Sequence, residues 1–80
     1  MISVYILQSE KDNGYYIGIT KDIEKRLKAH NNKEVQSTKN RAPFNVVHFE
    51  EFQNYYEARN REKEIKSYKG GNNFHKLIGK

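Results

Sequence analysis

Asn13-Gly14-Tyr15-Tyr16-Ile17-Gly18-Ile19-Thr20 decides how the rest of the chain is read. The stretch opens with Asn-Gly, a strong short-range turn signal, and continues as β-prone residues that alternate between two faces. Tyr15, Ile17 and Ile19 share one face, which has the character of core, and Tyr16, Gly18 and Thr20 share the other. A glycine within a strand gives up packing and adds unfolded-state entropy, so it marks a place where another backbone or a ligand comes close. Tyr16 beside Gly18 is therefore a hydroxyl with open space next to it. The plainer reading is a tyrosine in a strand and a glycine at a bulge.

Upstream, Ile2 to Leu7 alternates Ile2, Val4 and Ile6 against Ser3, Tyr5 and Leu7, which is a second strand. Ser9 to Gly14 is polar and turn-rich, so the two strands form an antiparallel hairpin with a loop longer than the tightest kind. Tyr5 and Tyr16 each lie on the face away from the aliphatic set of their strand. A suitable register brings the two phenols to one shallow site, or makes them a cross-strand aromatic pair that supports the hairpin.

Downstream, from Asp22 to His30, the period changes from two to about 3.6, with Thr20 or Asp22 as N-cap and an acidic first turn that suits the helix dipole. Ile23 and Leu27 face the sheet, and Arg26 and His30 fall beside them within an arc of roughly 100°. A guanidinium and an imidazole one turn apart at the margin of a buried face suit an anionic ligand. The bland alternative is a helix edge with snorkelling side chains. Asn31 to Pro43 has no period and reads as a surface loop or a frayed extra turn, whose basic residues, Lys39 and Arg41 among them, are candidates for phosphate contact. Phe44 to Phe52 is the third strand, with Phe44, Val46 and His48 expected on one face and His48 read as structural.

The second helix runs from about Tyr55 to Tyr68, with Tyr55, Ala58, Ile65 and Tyr68 as its apolar stripe. Glu62 falls inside that stripe, four residues after Ala58 and three before Ile65. A buried carboxylate is costly unless it is paired or binds a metal, so Glu62 needs a partner, and Arg26 or a divalent cation is expected. Arg59, Arg61, Lys63, Lys66 and Lys69 make the rest of this helix basic, a nucleic-acid path or a solvated face. Lys69-Gly70-Gly71-Asn72-Asn73 ends it through the glycines and restarts the chain at an Asn cap, so that Phe74, Leu77 and Ile78 pack a short last helix on the body.

Composition bounds the function. Eighty residues make one domain, 1–80, with a thin core. Cysteine is absent, which removes disulfides and thiolate metal sites and leaves oxygen or imidazole ligands for any metal. No apolar run is long enough to span a membrane and no signal-peptide pattern is present, so an intracellular, cytoplasmic protein is expected, with no appended DNA-reading module. Lysine plus arginine number 15 against 10 acids, a formal net charge of +5 that favours polyanionic partners.

Val4-Tyr5, Tyr16-Ile17-Gly18, Arg26 and His30 on the first helix and Glu62 on the second together resemble the GIY-YIG nuclease family. The likeness is to its small stand-alone bacterial members and extends to Tyr-Ile-Gly-Ile-Thr, an Arg-Leu-x-x-His turn and the Arg61 to Lys66 segment. The first motif reads Ser3-Val4-Tyr5, without the glycine and isoleucine of the family name, and the late asparagine of the family has no match in register. The resemblance implies an α+β fold, a small three-stranded antiparallel sheet flanked by helices, and hydrolysis of DNA phosphodiesters with one divalent metal, Mg2+ or Mn2+. It makes Tyr5, Tyr16, Arg26, His30 and Glu62 catalytic, with Glu62 the metal ligand, Arg26 the stabiliser of phosphate charge, and the two phenols holding and deprotonating water. His30 would support a phosphate or the phenol acting as base. Lys39, Arg41, Lys66 and Lys69 are the expected nucleic-acid contacts. A free phenol is a poor base at neutral pH, so a nearby cation is expected to lower its pKa. Single-stranded, branched, damaged or foreign DNA, and RNA, all stay open as substrates, as does the oligomeric state. The competing class is a nucleic-acid-binding module that keeps the scaffold without turnover.

Overall fold

Tyr5 faces Gly18 and Leu7 faces Tyr16 in the hairpin register, and that pairing orients everything else. A computed structural model describes residues 1–79; the domain expected to run to Lys80 ends on a residue outside them. In chain order the elements are β1 (Ile2–Ser9), β2 (Tyr15–Thr20), α1 (Ile23–Asn31), β3 (Phe44–Phe52), α2 (Tyr55–Ser67) and α3 (Asn72–Leu77). The strands form one sheet in the order β2-β1-β3, with both pairings antiparallel. The fold is therefore α+β, as the alternation and its change of period imply.

β1 is central because both of its faces are apolar, and a strand covered on both sides must bury every position. Val4, Tyr5, Ile6 and Leu7 are all at most 1 % exposed. Ile2, Val4 and Ile6 pack with Ala58 and Ile65 of α2 and Phe74 of α3. On the opposite face Tyr5, Leu7 and Phe44 pack with Tyr16, Ile23, Leu27 and Val46. The expected stripe of α2 holds at Ala58 and Ile65, but its first member does not, since Tyr55 is half exposed.

Side-chain caps set the helix starts. Asp22, rather than Thr20, caps α1 by accepting the Lys25 N–H at 3.1 Å, and Asn54 caps α2 by accepting the Glu57 N–H at 2.9 Å. The expected Asn cap of α3 is not formed: Gly71 occupies that position without a side-chain bond, because Asn72 and Asn73 are already helical. The end of α1 is a closed turn rather than a frayed one. Lys33 takes a positive φ of 62°, its N–H reaches the His30 carbonyl at 3.1 Å, and the Glu34 N–H reaches the Ala29 carbonyl at 2.9 Å.

One expectation for β3 fails. A bulge lies opposite the Ile6–Leu7 step, so Leu7 pairs with Val46 but Ile6 pairs with His48. The extra residue reverses the faces of everything after Val47. Phe44 and Val46 stay on the Tyr5 side, while His48 and Glu50 turn to the α2 side. There Glu50 takes a fork from Arg61, Nε to Oε1 at 2.8 Å and Nη2 to Oε2 at 2.9 Å, and His48 Nε2 lies 2.8 Å from Glu50 Oε2. Arg61 also donates to Glu64 at 2.9 Å, so one guanidinium pins α2 to the edge of the sheet.

Candidate active site

Gly18 creates the space in which the site is built. A Cβ at this position would lie 2.5 Å from the Tyr5 hydroxyl oxygen and 2.7 Å from the ring carbon that bears it. The Tyr5 phenol thus lies over bare backbone on the neighbouring strand, which a side chain at 18 would prevent. The phenols of Tyr5 and Tyr16 meet with ring centroids 6.3 Å apart, so the hairpin register does bring them together.

α1 supplies the next two groups. His30 is fully buried, with its Nε2 3.2 Å from the Tyr5 hydroxyl and its ring 4.9 Å from that of Tyr16. Phe44 of β3 closes the other side of the imidazole at 5.7 Å. Arg26, one turn earlier, donates from Nε to the Tyr5 oxygen at 3.4 Å. Tyr5, Tyr16, Arg26 and His30 therefore form one contiguous cluster. Among the described residues no carboxylate is within ion-pair reach of Arg26.

The electrostatics differ from expectation at Tyr5. Burial pushes its phenol above the ordinary value of 10.0, and this outweighs the opposing hydrogen bond from Arg26; the charges of Tyr16 and Glu62 push the same way as burial. Tyr5 is thus a protonated phenol at neutral pH, and the expected lowering by a nearby cation is not found there. Burial, reinforced by the Arg26 charge, depresses His30 below its ordinary 6.5, so the imidazole is neutral. Arg26 is raised, first by its bond to Tyr5 and with Tyr16 adding to it. Tyr16 is only partly buried and brings the more accessible phenol to the surface of the cluster.

Glu62 approaches the cluster from α2. Its side chain is only 17 % exposed, and its partner is Lys66 one turn on, at 3.2 Å, rather than the expected Arg26. Arg26 instead lies against the Tyr5 phenol through Nε, and Lys66 is on the same helix as Glu62 at i+4, where little ordering is needed. The remaining expected nucleic-acid contacts are dispersed. Arg41 is held by Asp12 at 2.9 Å, tying the loop before β3 to the hairpin, while Lys39 is partly buried and Lys69 exposed.

Two features escaped the sequence reading. Thr38, in a loop without sequence period, is 1 % exposed and its hydroxyl lies 2.8 Å from His30 Nδ1. A groove of about 330 Å³ also opens beside Arg26, lined by Thr20, Lys21, Asp22, Lys25, Arg26 and Ala29. The Lys21 ammonium stands 6.0 Å from the ring centroid of the half-exposed Tyr55. Spacing on α1 places Arg26, but only the fold shows that Lys21 and Lys25 line one groove with it.

A family model described as the GIY-YIG catalytic domain matches residues 1–74. The chain belongs to the GIY-YIG family. This places it in a superfamily of nucleases, enzymes that act on nucleic acid and generally use a divalent metal. It is 48% identical over 64 residues to the UPF0213 protein of Clostridium perfringens, a match that covers 79% of this chain and 68% of that one. It is 44% identical over 66 residues to the UPF0213 protein of Haloquadratum walsbyi, covering 81% and 73%. The solution structure of the UPF0213 protein of Bacillus halodurans superposes with a TM-score of 0.51 at 36% identity, over 84% of this chain and 72% of that one. The GIY-YIG sheet with its flanking helices is thus shared with a small relative of known structure, and no helix among the described residues is long and apolar enough to cross a membrane.

The donor chemistry at Glu62 suits a hard divalent cation. Such an ion is commonly held by one or two carboxylates completed by water and substrate phosphate oxygens. Glu62 offers one carboxylate at the margin of the cluster, and its ion-pair partner among the described residues is an exposed lysine. Among the described residues there is no group of three His, Cys, Asp or Glu side chains that would enclose a metal without substrate.

Proposed function

We propose that this GIY-YIG protein is a divalent-metal-dependent endonuclease that hydrolyses DNA phosphodiester bonds, with residues 1–80 as one catalytic domain. The observation that carries this reading is Arg26, an always-charged fork beside two phenols with no carboxylate to neutralise it among the described residues. An arginine held in this way is available to an incoming phosphate, and it supplies positive charge where pentacoordinate phosphorus gains negative charge.

Tyr16, the phenol at the solvent boundary, holds the attacking water. The water oxygen bonds to phosphorus as the bond from phosphorus to the leaving ester oxygen breaks; the water proton passes to the Tyr16 oxygen as the Tyr16 proton passes to solvent, and the leaving oxygen is protonated from solvent. Tyr5 is too buried and too weakly acidic to do this; its oxygen fixes the guanidinium of Arg26 and its proton is donated to His30. Glu62 would hold the divalent ion, Mg2+ or Mn2+, which when bound lowers the pKa of coordinated water and adds positive charge at the phosphate. Lys21 and Lys25 extend the cationic surface along the groove beside Arg26, a path for the flanking phosphates, with Lys39, Lys66 and Lys69 as more distant attractors.

The test is cleavage of end-labelled single-stranded, duplex and flapped oligonucleotides by the purified protein with magnesium, manganese or chelator, beside Glu62→Ala. Metal-dependent products that vanish in the variant while binding persists are expected. Equal cutting by variant and wild type would remove Glu62 from the mechanism, and binding without cutting on every substrate would make the protein a non-catalytic binding module.

A further inference from the structure

Thr38 is an unusual residue to find buried. It lies in the polar segment between α1 and β3, yet its hydroxyl is the partner of His30 Nδ1 at 2.8 Å, and both side chains are essentially removed from solvent. The backbone around it is fixed at several points. The Thr38 N–H bonds to the Val35 carbonyl at 3.1 Å, and the Arg41 N–H bonds to the Thr38 carbonyl at 2.9 Å. The Ser9 hydroxyl donates to the Arg41 carbonyl at 2.5 Å, and the Phe44 N–H donates to Asn31 Oδ1 at 2.6 Å, so the segment is tied to β1 and to the end of α1.

Four groups then stand in a line: Arg26, Tyr5, His30 and Thr38, joined at 3.4, 3.2 and 2.8 Å. Arginine can only donate, so the Tyr5 oxygen is an acceptor at the Arg26 end. The buried Tyr5 hydroxyl proton needs an acceptor, and among the described residues the one within reach is His30 Nε2. His30 Nε2 is then bare, the proton of the neutral ring is on Nδ1, and Thr38 accepts it. The opposite polarity, with Thr38 donating to Nδ1, would turn Nε2–H toward the Tyr5 oxygen, which already accepts from Arg26, and leave the phenol proton without an acceptor; the polarity adopted leaves instead the proton of the Thr38 hydroxyl, a rotor that can turn to suit its surroundings.

We infer that Thr38 is a positioning residue for Arg26: it fixes the Nδ1–H tautomer of His30, which holds the Tyr5 proton away from Arg26 and keeps the phenol lone pairs on the guanidinium. Arg26 is thereby aimed toward the substrate side by a buried chain that begins eight residues past the end of the helical face carrying His30. The inference rests on the nuclease reading for its functional consequence, but not for the hydrogen-bond polarity, which belongs to the free protein. Besides Thr38, the groups facing His30 are Tyr5 from β1, Tyr16 from β2, Arg26 from its own helix and Phe44 from β3, and the one permanent charge among them is that of Arg26.

Nitrogen-15 NMR of the His30 imidazole in wild type, Thr38→Val and Thr38→Ser is the test, with single-turnover cleavage measured on the same samples. Wild type and Thr38→Ser are expected to show the Nδ1–H tautomer. Thr38→Val, close in shape but without the hydroxyl, is expected to lose that preference and to cut about tenfold more slowly at unchanged DNA binding, the effect of one buried hydrogen bond. An Nε2–H tautomer in wild type, or an unchanged tautomer in Thr38→Val, overturns the assignment. The expected tautomers with a cleavage rate unaltered in Thr38→Val overturn the link to Arg26. Absence of cleavage by wild type overturns the nuclease reading, and the tautomer still decides what Thr38 does to His30.

Discussion

Two arginines sit on opposite faces of the same three-stranded sheet, each with a histidine nearby, and they are held in different ways. Arg61 grips Glu50 through two nitrogens at 2.8 and 2.9 Å, has Glu64 at 2.9 Å as a further acid, and His48 completes the Glu50 carboxylate. Arg26 has a buried phenol at 3.4 Å and faces a cationic groove. The first arrangement is internally satisfied and joins α2 to β3. The second leaves a formal positive charge without a counter-ion among the described residues, at the edge of a cleft, which has a structural cost and makes sense when the counter-ion arrives with a ligand. The residue types are nearly the same; what separates clamp from site is whether a carboxylate closes the circuit.

The largest effect that would sharpen this contrast comes from Gly18→Ala. Its methyl group would occupy the place of the Tyr5 phenol, so the ring must move and Arg26 loses its support. A loss of about 1–3 kcal/mol of stability is expected from overpacking, together with a fall in cleavage of roughly 10²-fold from misplacement of the guanidinium. Melting and single-turnover cleavage on one preparation measure both. The clamp on the opposite face should keep its hydrogen bonds, and wild-type cleavage in this variant would show that the Tyr5 placement is incidental.

The two regions also give way at different pH. His30 is depressed in the folded state, so its contribution is complete above the unfolded value of about 6.5 and is lost as pH falls toward the folded one. Tyr5 is raised, so its contribution is complete below about 10 and is lost as pH climbs beyond it. Glu50 is lowered, first by its bonds to Arg61, so the clamp holds until pH falls below the ordinary 4.5. Thermal melts across pH are expected to show the site weakening on the acid side before the clamp does. Tyr5→Phe should flatten the alkaline limb relative to wild type, and an identical alkaline limb in the two proteins would contradict the placement of Tyr5.

A smaller effect is expected at the metal-binding carboxylate. Lys66→Ala removes an exposed i,i+4 partner of Glu62, worth about 0.3–0.5 kcal/mol, so the half-maximal magnesium concentration for cleavage should fall by about twofold while stability barely changes. A rise in that concentration would show that Lys66 assists the ion rather than competing with it.

Much of this was legible in the chain. Alternation in Ile2–Leu7 and Tyr15–Thr20 fixes the hairpin and the faces of its phenols, and Asp22, one of two candidate caps, marks where the period first changes. Arg26 and His30 were visible because they share an arc with Ile23 and Leu27. The bulge in β3 was not visible, since one inserted residue changes no composition and only the pairing with β1 shows which residue is extra. Strict alternation therefore puts His48 on the face of Phe44 and Val46, and it gives no sign of the Glu50–Arg61 clamp beyond the bulge. Thr38 was hidden for a related reason. A threonine in a polar loop has no pattern around it, and its role arises from a loop that folds back onto a histidine eight positions earlier. A helical wheel locates the Glu62 carboxylate but does not say which of two nearby cations pairs with it, and in the fold it is Lys66.

The most direct test of the contrast between the two arginines is Arg26→Ala beside Arg61→Ala, each measured for melting temperature and for single-turnover cleavage of the preferred oligonucleotide. The account predicts that Arg26→Ala cuts about 10²- to 10³-fold more slowly with a melting temperature close to wild type. Arg61→Ala should lose about 1.5–3 kcal/mol of stability and cut at the wild-type rate once the fraction folded is taken into account. Equal cleavage by Arg26→Ala and wild type, or loss of cleavage in fully folded Arg61→Ala, would contradict it.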